Sequence, residues 1–402
     1  MQTKTKTKTK KWVKPRHKVI IRLAAIVLFP WMKLKYHIKV EKSPELKKRQ
    51  CVVLMNHQTA FDQFFVSKAM FPRHAYFVAS EDLFSLGVLS RLLAWAVAPI
   101  PIKKQTTDVQ AVMNCIRVAR QGGTIALAPE GNRTFSGLPC NSNPAIAPLV
   151  KKLGLPLALF RIEGGYGIQP RWSDVCRKGK MRAYVHRIIE PEEYKDLSNE
   201  ELHRLIQKEL FVDETQNPGP FQHKRLAEYL ERAMYVCPEC GLTEFYSEKD
   251  RITCKTCGKQ IRYLPDNHIQ GVNCDFPFPY VAQWYAYQND YVNQLDTNTY
   301  LETPLYRETA TISQVEPYKK KHLLEENTSV LLYGNRLQLG KRTLFFADIR
   351  VITVLGKNKV NVYHTDGLFQ IKGDARFNGL KYMNIFWRHK NQQAGEGDFL
   401  GI

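Results

Sequence analysis

The segment Cys51-Val-Val-Leu-Met-Asn-His-Gln-Thr-Ala-Phe-Asp62 decides how the chain is read. Its first five residues are apolar at every position, the pattern of a short strand covered on both faces. The stretch FFVSKAM that follows Asp62 returns to an apolar helical composition. His57 and Asp62 therefore stand five residues apart at a strand-to-helix junction. An imidazole has a pKa suited to taking a hydroxyl proton near neutral pH. A carboxylate on its other ring nitrogen sets the tautomer and stabilises the imidazolium that forms. The segment has no serine or cysteine placed as a nucleophile, so the chemistry it favours is direct activation of an acceptor hydroxyl by His57. A plainer reading stands beside this one: Thr59-x-x-Asp62 also fits a helix-start capping box.

Outward from this segment, strands alternate with helices. AYFVAS (Ala75–Ser80) reads as a strand. Leu83 to Ala98 carries only Arg91 as a charge and reads as a buried or membrane-facing helix. APIPIKK (Ala98–Lys104) is extended, given its prolines. Asp108 to Arg120 has helical periodicity and stops at Gly122-Gly123. TIALA (Thr124–Ala128) is a further strand, Asn143 to Lys152 a helix and LPLALFRI (Leu155–Ile162) a strand. The alternation predicts an α/β domain. Helices are expected at Leu197–Phe211, where Ser198 and Glu201 fit a capping box, and at Lys224–Met234.

The loop PEGNRTFSG follows the strand TIALA, about seventy residues beyond His57. Arg133 offers a planar fork suited to phosphate, and Glu130 can orient it or hold an acceptor hydroxyl. Taken alone, the default reading is a surface turn with an exposed ion pair. Together, the two motifs resemble the glycerol-phosphate and lysophosphatidate acyltransferase family, whose pattern is N-H-x4-D followed by P-E-G-T-R-S. Asn56, His57 and Asp62 match the first block, and Pro129, Glu130, Gly131 and Arg133 the second, with Asn132 and Thr134 in place of Thr and Ser. Where the family commonly has an arginine between these blocks, this sequence has Lys103 and Lys104. Pro156 matches the strand with a leading proline. The likeness covers roughly residues 36–190.

The resemblance implies a mixed sheet flanked by helices and an O-acyltransferase. His57 is then the general base, oriented by Asp62, and Lys103, Glu130, Gly131 and Arg133 form the acceptor-phosphate site. The implied donor is acyl-CoA or acyl carrier protein and the acceptor a lysophosphatidate or related glycerophospholipid, with no catalytic cofactor.

Charge is unevenly placed. The net formal charge is +21, and residues 1–50 hold 13 Lys and 3 Arg against 2 Glu. A basic arm on an ordinary body implies an acidic partner such as anionic lipid or nucleic acid. Val19–Met32 is apolar apart from Arg22 and follows KTKTKTKTKK, so residues 1–35 are expected to be a basic tail and interfacial anchor rather than a transmembrane span. A core helix with a solvated tail is the competing reading. The expected location is a membrane, on its cytoplasmic face.

CPECG (Cys237–Gly241) and CKTCG (Cys254–Gly258) give CxxC-x13-CxxC. Four thiolates at this spacing suit a closed, tetrahedral structural Zn²⁺ site of Cys237, Cys240, Cys254 and Cys257. Redox use of the pairs lacks a thioredoxin-like context. The remainder is rich in Tyr, Val, Thr and short strand-like segments such as SVLLYG, VITVLG and NVYHTDG. The expected units are thus the anchor (1–35), an acyltransferase domain (36–234), a zinc ribbon (235–265) and a small β-rich domain (266–402). A ribbon fits a protein partner, and this sustains a rival function: a catalytically inactive, membrane-tethered scaffold. The ribbon lacks alternating basic and aromatic residues, which argues against nucleic acid.

Overall fold

A computed structural model describes residues 11–80, 83–84, 87–102, 108–217, 219–316 and 321–402. The first half is built on seven strands: β1 (Ile38–Val40), β2 (Val52–Met55), β3 (Ala75–Ser80), β4 (Ile100–Ile102), β5 (Thr124–Leu127), β6 (Leu157–Glu163) and β7 (Met181–Ile189). They lie in the order β1-β7-β6-β2-β5-β3-β4. β2 runs parallel to β5 and β6, whereas β7 is antiparallel to β6, so the sheet is mixed. Nine helices accompany it among the described residues: α1 (Pro15–Tyr36), α2 (Pro44–Lys48), α3 (Asp62–Ala69), α4 (Val88–Ala96), α5 (Val109–Arg120), α6 (Ile146–Leu153), α7 (Gly165–Ile168), α8 (Pro191–Tyr194) and α9 (Asn199–Leu210).

β2 is central, and its four residues are fully or nearly fully buried. Strand alternation divides them between two cores. Val52 and Leu54 pack with Val118, Val150 and Ile206 from α5, α6 and α9. Val53 and Met55 pack with Met32, Tyr36 and Phe65 from α1 and α3. This two-sided cover explains the uninterrupted apolar run in the sequence. The Ser198–Glu201 capping box forms as its spacing predicts.

Two segments depart from expectation. Leu83–Ala98 is not a buried helix: α4 buries only Ser90, and Val88, Leu89, Leu92 and Trp95 are exposed. That leaves the outward-facing alternative. Lys224–Met234 is not an α-helix but a run of turns with a short 3-10 segment at Leu230–Arg232. Its backbone is spent on other elements: Ala227 N–H bonds Lys249 O, and Tyr229 N–H bonds Ser247 Oγ. Tyr229 is left-handed, with φ of 73°.

α1 has two characters. Ala25, Met32 and Tyr36 face inward and are buried, while Val19, Leu23, Ile26, Val27 and Leu34 are exposed. Its first turn meets α4, where Arg16 bonds Trp95 O and stacks over the Trp95 ring. No described helix is long and apolar enough to cross a membrane.

The second half begins with the cysteine module, whose four-stranded antiparallel sheet runs from Phe245–Glu248 to Ile269–Gly271. A seven-stranded antiparallel sheet follows, in which Tyr306–Val315 pairs with both His322–Leu332 and Gly367–Lys372. The β-rich expectation holds for this half, but two helices were not anticipated, Val281–Gln294 and Gly379–Ala394. Trp284, Gln288 and Val292 supply the buried stripe of the first. One hydrophobic core joins Cys237, Tyr263, Trp284, Leu332, Ile352 and Phe386, and reaches Phe135 and Trp172 of the first half.

Candidate active site

The loop between β2 and α3 folds back on itself through one carboxylate. Asp62 is completely buried. It accepts hydrogen bonds from the Gln58 amide at 2.8 Å, the Thr59 amide at 2.9 Å, the Thr59 hydroxyl at 2.7 Å and His57 Nδ1 at 2.8 Å. Of the capping box in the plainer reading only one half is present, the bond from the Thr59 amide to Asp62. Phe61, not Thr59, occupies the N-cap position, and Asp62 receives bonds from Thr59. The first helical residue thus organises the preceding loop. With Nδ1–H given to Asp62, a neutral His57 ring carries its lone pair on Nε2, the arrangement a general base requires.

Asn56 anchors the loop from the other side. Its side-chain amide exchanges two hydrogen bonds of 2.8 Å with the backbone of Ile162 on β6, acting as an extra peptide unit. Gly165, at the start of α7, lies against Gln58, where an added Cβ would fall 2.4 Å from Gln58 Cβ. The loop carrying His57 is therefore held by β6, by α7 and by its own aspartate.

The loop after β5 comes to the same place. Gly131 closes its turn in a left-handed conformation, φ 62°, with its N–H bonded to Ala128 O. Glu130 forms no ion pair with Arg133 among the described residues, contrary to one expected role. Its two oxygens instead accept the His57 amide at 3.2 Å and the Cys140 amide at 2.9 Å. Burial pushes its carboxyl up to about 8, against the opposing pull of those two amides. Arg133 is half-buried. Burial lowers its pKa, and the charge of Asp62 and the Tyr36 phenol work the other way. No carboxylate lies within ion-pair distance of Arg133 among the described residues, and its guanidinium is within electrostatic reach of the His57–Asp62 pair. The ion pair of the surface-turn reading of PEGNR therefore does not form among the described residues, although the turn itself is partly exposed.

Lys103 lies outside the described residues. Arg171 was not singled out in the sequence, yet it reaches the loop from behind. It bonds Arg133 O at 3.1 Å, Asn132 Oδ1 at 3.5 Å and Val354 O of the C-terminal sheet at 3.0 Å. It lies in QPRWSDVCR (169–177), which has no pattern that marks a site.

The second candidate cluster lies far along the chain. The sulfurs of Cys237, Cys240, Cys254 and Cys257 all fall within 4.8 Å of one another. Cys237 and Cys257 are 3.8 Å apart, and Cys240 and Cys254 4.0 Å. Gly241 and Gly258, both left-handed, turn the chain just after each pair.

The raised Glu130 carboxyl has a stability consequence. Below its unfolded value the group is protonated in both states. Between that value and about 8 the native state holds a proton that the unfolded state has lost, so the native state weakens as pH rises. Glu130→Gln is therefore expected to gain stability relative to the parent between pH 5 and pH 8, with the gap levelling above about 8. Denaturant midpoints of both proteins at pH 5, 7 and 9 check this; a gap independent of pH refutes it.

Residues 37–162 match the family model described as Acyltransferase. A curated relative, the chloroplastic 1-acyl-sn-glycerol-3-phosphate acyltransferase BAT2 of Brassica napus, is 23% identical over 180 residues, covering 43% of this chain and 50% of the relative. The chain thus spans about half the length of that protein. A solved structure, the 1-acyl-sn-glycerophosphate acyltransferase PlsC from Thermotoga maritima, aligns at 22% identity with a TM-score of 0.40, over 50% of this chain and 77% of the other. The stretch that matches the acyltransferase family model, residues 37–162, contains His57, Asp62, Glu130 and Arg133.

Proposed function

We propose that the protein transfers a fatty acyl group from a thioester, acyl-CoA or acyl carrier protein, to the hydroxyl of a lysophosphatidate or related glycerophospholipid. The observation that carries this reading is the 2.8 Å bond from His57 Nδ1 to a buried Asp62, with Glu130 bound to the amide of His57 itself. His57 Nε2 takes the acceptor hydroxyl proton as that oxygen attacks the thioester carbonyl. Asp62 stabilises the imidazolium. When the tetrahedral intermediate collapses, the C–S bond breaks and the departing thiolate recovers the proton from His57. Arg133 receives the acceptor phosphate, its guanidinium unclaimed by any carboxylate among the described residues.

The exposed apolar side chains of α1 and α4 support seating on a membrane, with the basic residues around α1 meeting anionic headgroups. Four thiolates at these separations fit tetrahedral Zn²⁺, since Zn–S bonds of about 2.3 Å place sulfurs about 3.8 Å apart. Cys237 and Cys254 are buried in the core of the second half, so the ion's contribution is structural.

Three measurements test these points. Transfer of labelled acyl groups to lysophosphatidate is expected to fall at least about 10²-fold in His57→Ala, and strongly in Asp62→Asn, the general-base scale; transfer that survives His57→Ala refutes the mechanism. Elemental analysis is expected to find about one zinc per chain, lost with Cys254→Ser, and chelation is expected to lower the unfolding midpoint. A metal-free protein with an unchanged midpoint overturns that site. Sedimentation with anionic vesicles is expected to weaken in Ile26→Glu/Val27→Glu, which changes only the outer face of α1. Undiminished sedimentation rules out α1 as the contact.

A further inference from the structure

The first turn of α1 has neither a side-chain cap nor an acidic residue, so the positive end of its helix dipole is unanswered there. Beside it lies a cavity of about 200 Å³, with Lys11, Lys14, Arg16 and His17 on one side and Phe84 and Pro99 on the other. No carboxylate pairs with Lys11, Lys14 or Arg16 among the described residues. Arg16 engages Trp95 O through Nε at 3.2 Å.

His17 gives an independent sign of a ligand. Its ring lines the cavity, it is 1% exposed, and its Nε2 has no hydrogen-bond partner. Nδ1 is engaged with the Tyr76 hydroxyl at 3.0 Å. Burial raises that phenol to about 12, so it keeps its proton. With the phenol donating to Nδ1, the ring proton of His17 sits on Nε2, a buried donor without an acceptor. The His74 ring, 5.5 Å away between centroids, donates through Nε2 to Val97 O and makes no bond to His17. Burial and the charges of Arg16 and Lys14 hold the His17 imidazole below its ordinary pKa. The ring is therefore neutral at pH 7 and stands in the field of two cations. A buried N–H donor, a group of cations and a helix N-terminus thus converge on one small space, the combination that receives phosphate. One water takes about 30 Å³ of liquid, so the cavity has room for a phosphate group with part of its glycerol.

We propose that the cavity at the start of α1 binds a phosphate group, from an anionic lipid headgroup or from free phosphate, through Lys11, Lys14 and the Nε2–H of His17. The lipid source rests on the interfacial seating of α1 put forward above. From His17 to Tyr36, beside the His57 loop, the helix rises about 29 Å, so this site is separate from the one where acyl transfer occurs. The exposed Val19 and Leu23 follow within two turns of it on α1, and Trp95 on α4 is exposed as well. A lipid phosphate held here fixes the start of α1 at headgroup level, while its end carries the catalytic loop.

The test is cosedimentation of the full chain with mixed phosphatidylcholine–phosphatidylglycerol vesicles at pH 7. It compares the parent with His17→Phe, with Lys11→Gln/Lys14→Gln, and with Lys18→Gln/Lys33→Gln, which removes the same charge from exposed positions of α1 outside the cavity. Both lysine pairs lose the same diffuse attraction to the surface, so the difference between them reads the site. The Lys11/Lys14 pair is expected to lose about tenfold more apparent affinity than the Lys18/Lys33 pair, and His17→Phe, which removes no charge, to bind about tenfold more weakly than the parent. Equal losses in the two lysine pairs, or a His17→Phe protein that binds like the parent, overturn the proposal. If His17→Phe does not fold, the two lysine pairs decide alone. Replacing chloride by inorganic phosphate at equal ionic strength separates the sources. Release from vesicles in the parent, absent in His17→Phe, assigns free phosphate to the site as well, whereas no release assigns the lipid headgroup alone. Ile26→Glu/Val27→Glu keeps the two readings apart: undiminished binding there, with loss in Lys11→Gln/Lys14→Gln, removes the apolar seating of α1 and upholds the phosphate site. The opposite pattern upholds the seating and removes the site.

Discussion

A single half-buried carboxyl joins the two loops on which the site depends. Glu130 accepts one amide from His57 and one from Cys140, so the loop after β2 and the loop after β5 share a fastener placed where neighbouring parallel strands end. Burying an acidic group there has an electrostatic cost, visible as its raised pKa, and the two amides offset only part of it. The arrangement persists because each amide would otherwise be left without its partner. With Glu130 occupied by backbone, Arg133 is not quenched by its sequence neighbour, and a doubly bonded acid becomes the reason an arginine three residues away keeps its charge available.

The sequence made part of this legible and hid the rest for physical reasons. Buried parallel strands such as Val52–Met55 announce themselves by apolar runs, because both faces are covered. The His57–Asp62 pair was legible from spacing, since a strand-to-helix loop of five residues has few ways to close. The direction of the Thr59–Asp62 bonding was not, because the same spacing serves a helix cap and a loop clamp. Glu130 was expected to orient Arg133 or hold an acceptor hydroxyl, whereas its observed partners are main-chain amides, which carry no sequence signature. The helix Val281–Gln294 escaped notice because its surface is Tyr, Asn and Gln rather than charged residues, so the stripe of Trp284, Gln288 and Val292 lacks contrast. Lys224–Met234 has helix-forming residues, but tertiary bonds to Lys249 and Ser247 override that propensity.

Arg171 is the clearest case of information that lies in no local pattern. It belongs to a segment, 169–177, whose neighbours each contact a different part of the molecule. Trp172 enters the large core of the second half and meets Tyr263 of the cysteine module edge-on. Asp174 binds Arg232 and Lys357, and Cys176 bonds Lys35 O at the end of α1. The cysteine module and the C-terminal sheet are therefore not simply appended. Through Val354 and Trp172 they form the back wall of the loop that holds Arg133.

α1 adds a question of height. Its last turn supplies Tyr36, which lies among Phe61, Phe65 and Trp31 close to the His57 loop, while Leu34 two residues earlier faces outward. At 1.5 Å per residue, that separation along the axis is only about 3 Å. The depth of the His57 loop is thus referenced to the outer face of one helix by a spacer of molecular dimensions. On the proposed function, an acceptor lipid need not leave its layer: a headgroup lifted by about the thickness of one helix already stands level with the base.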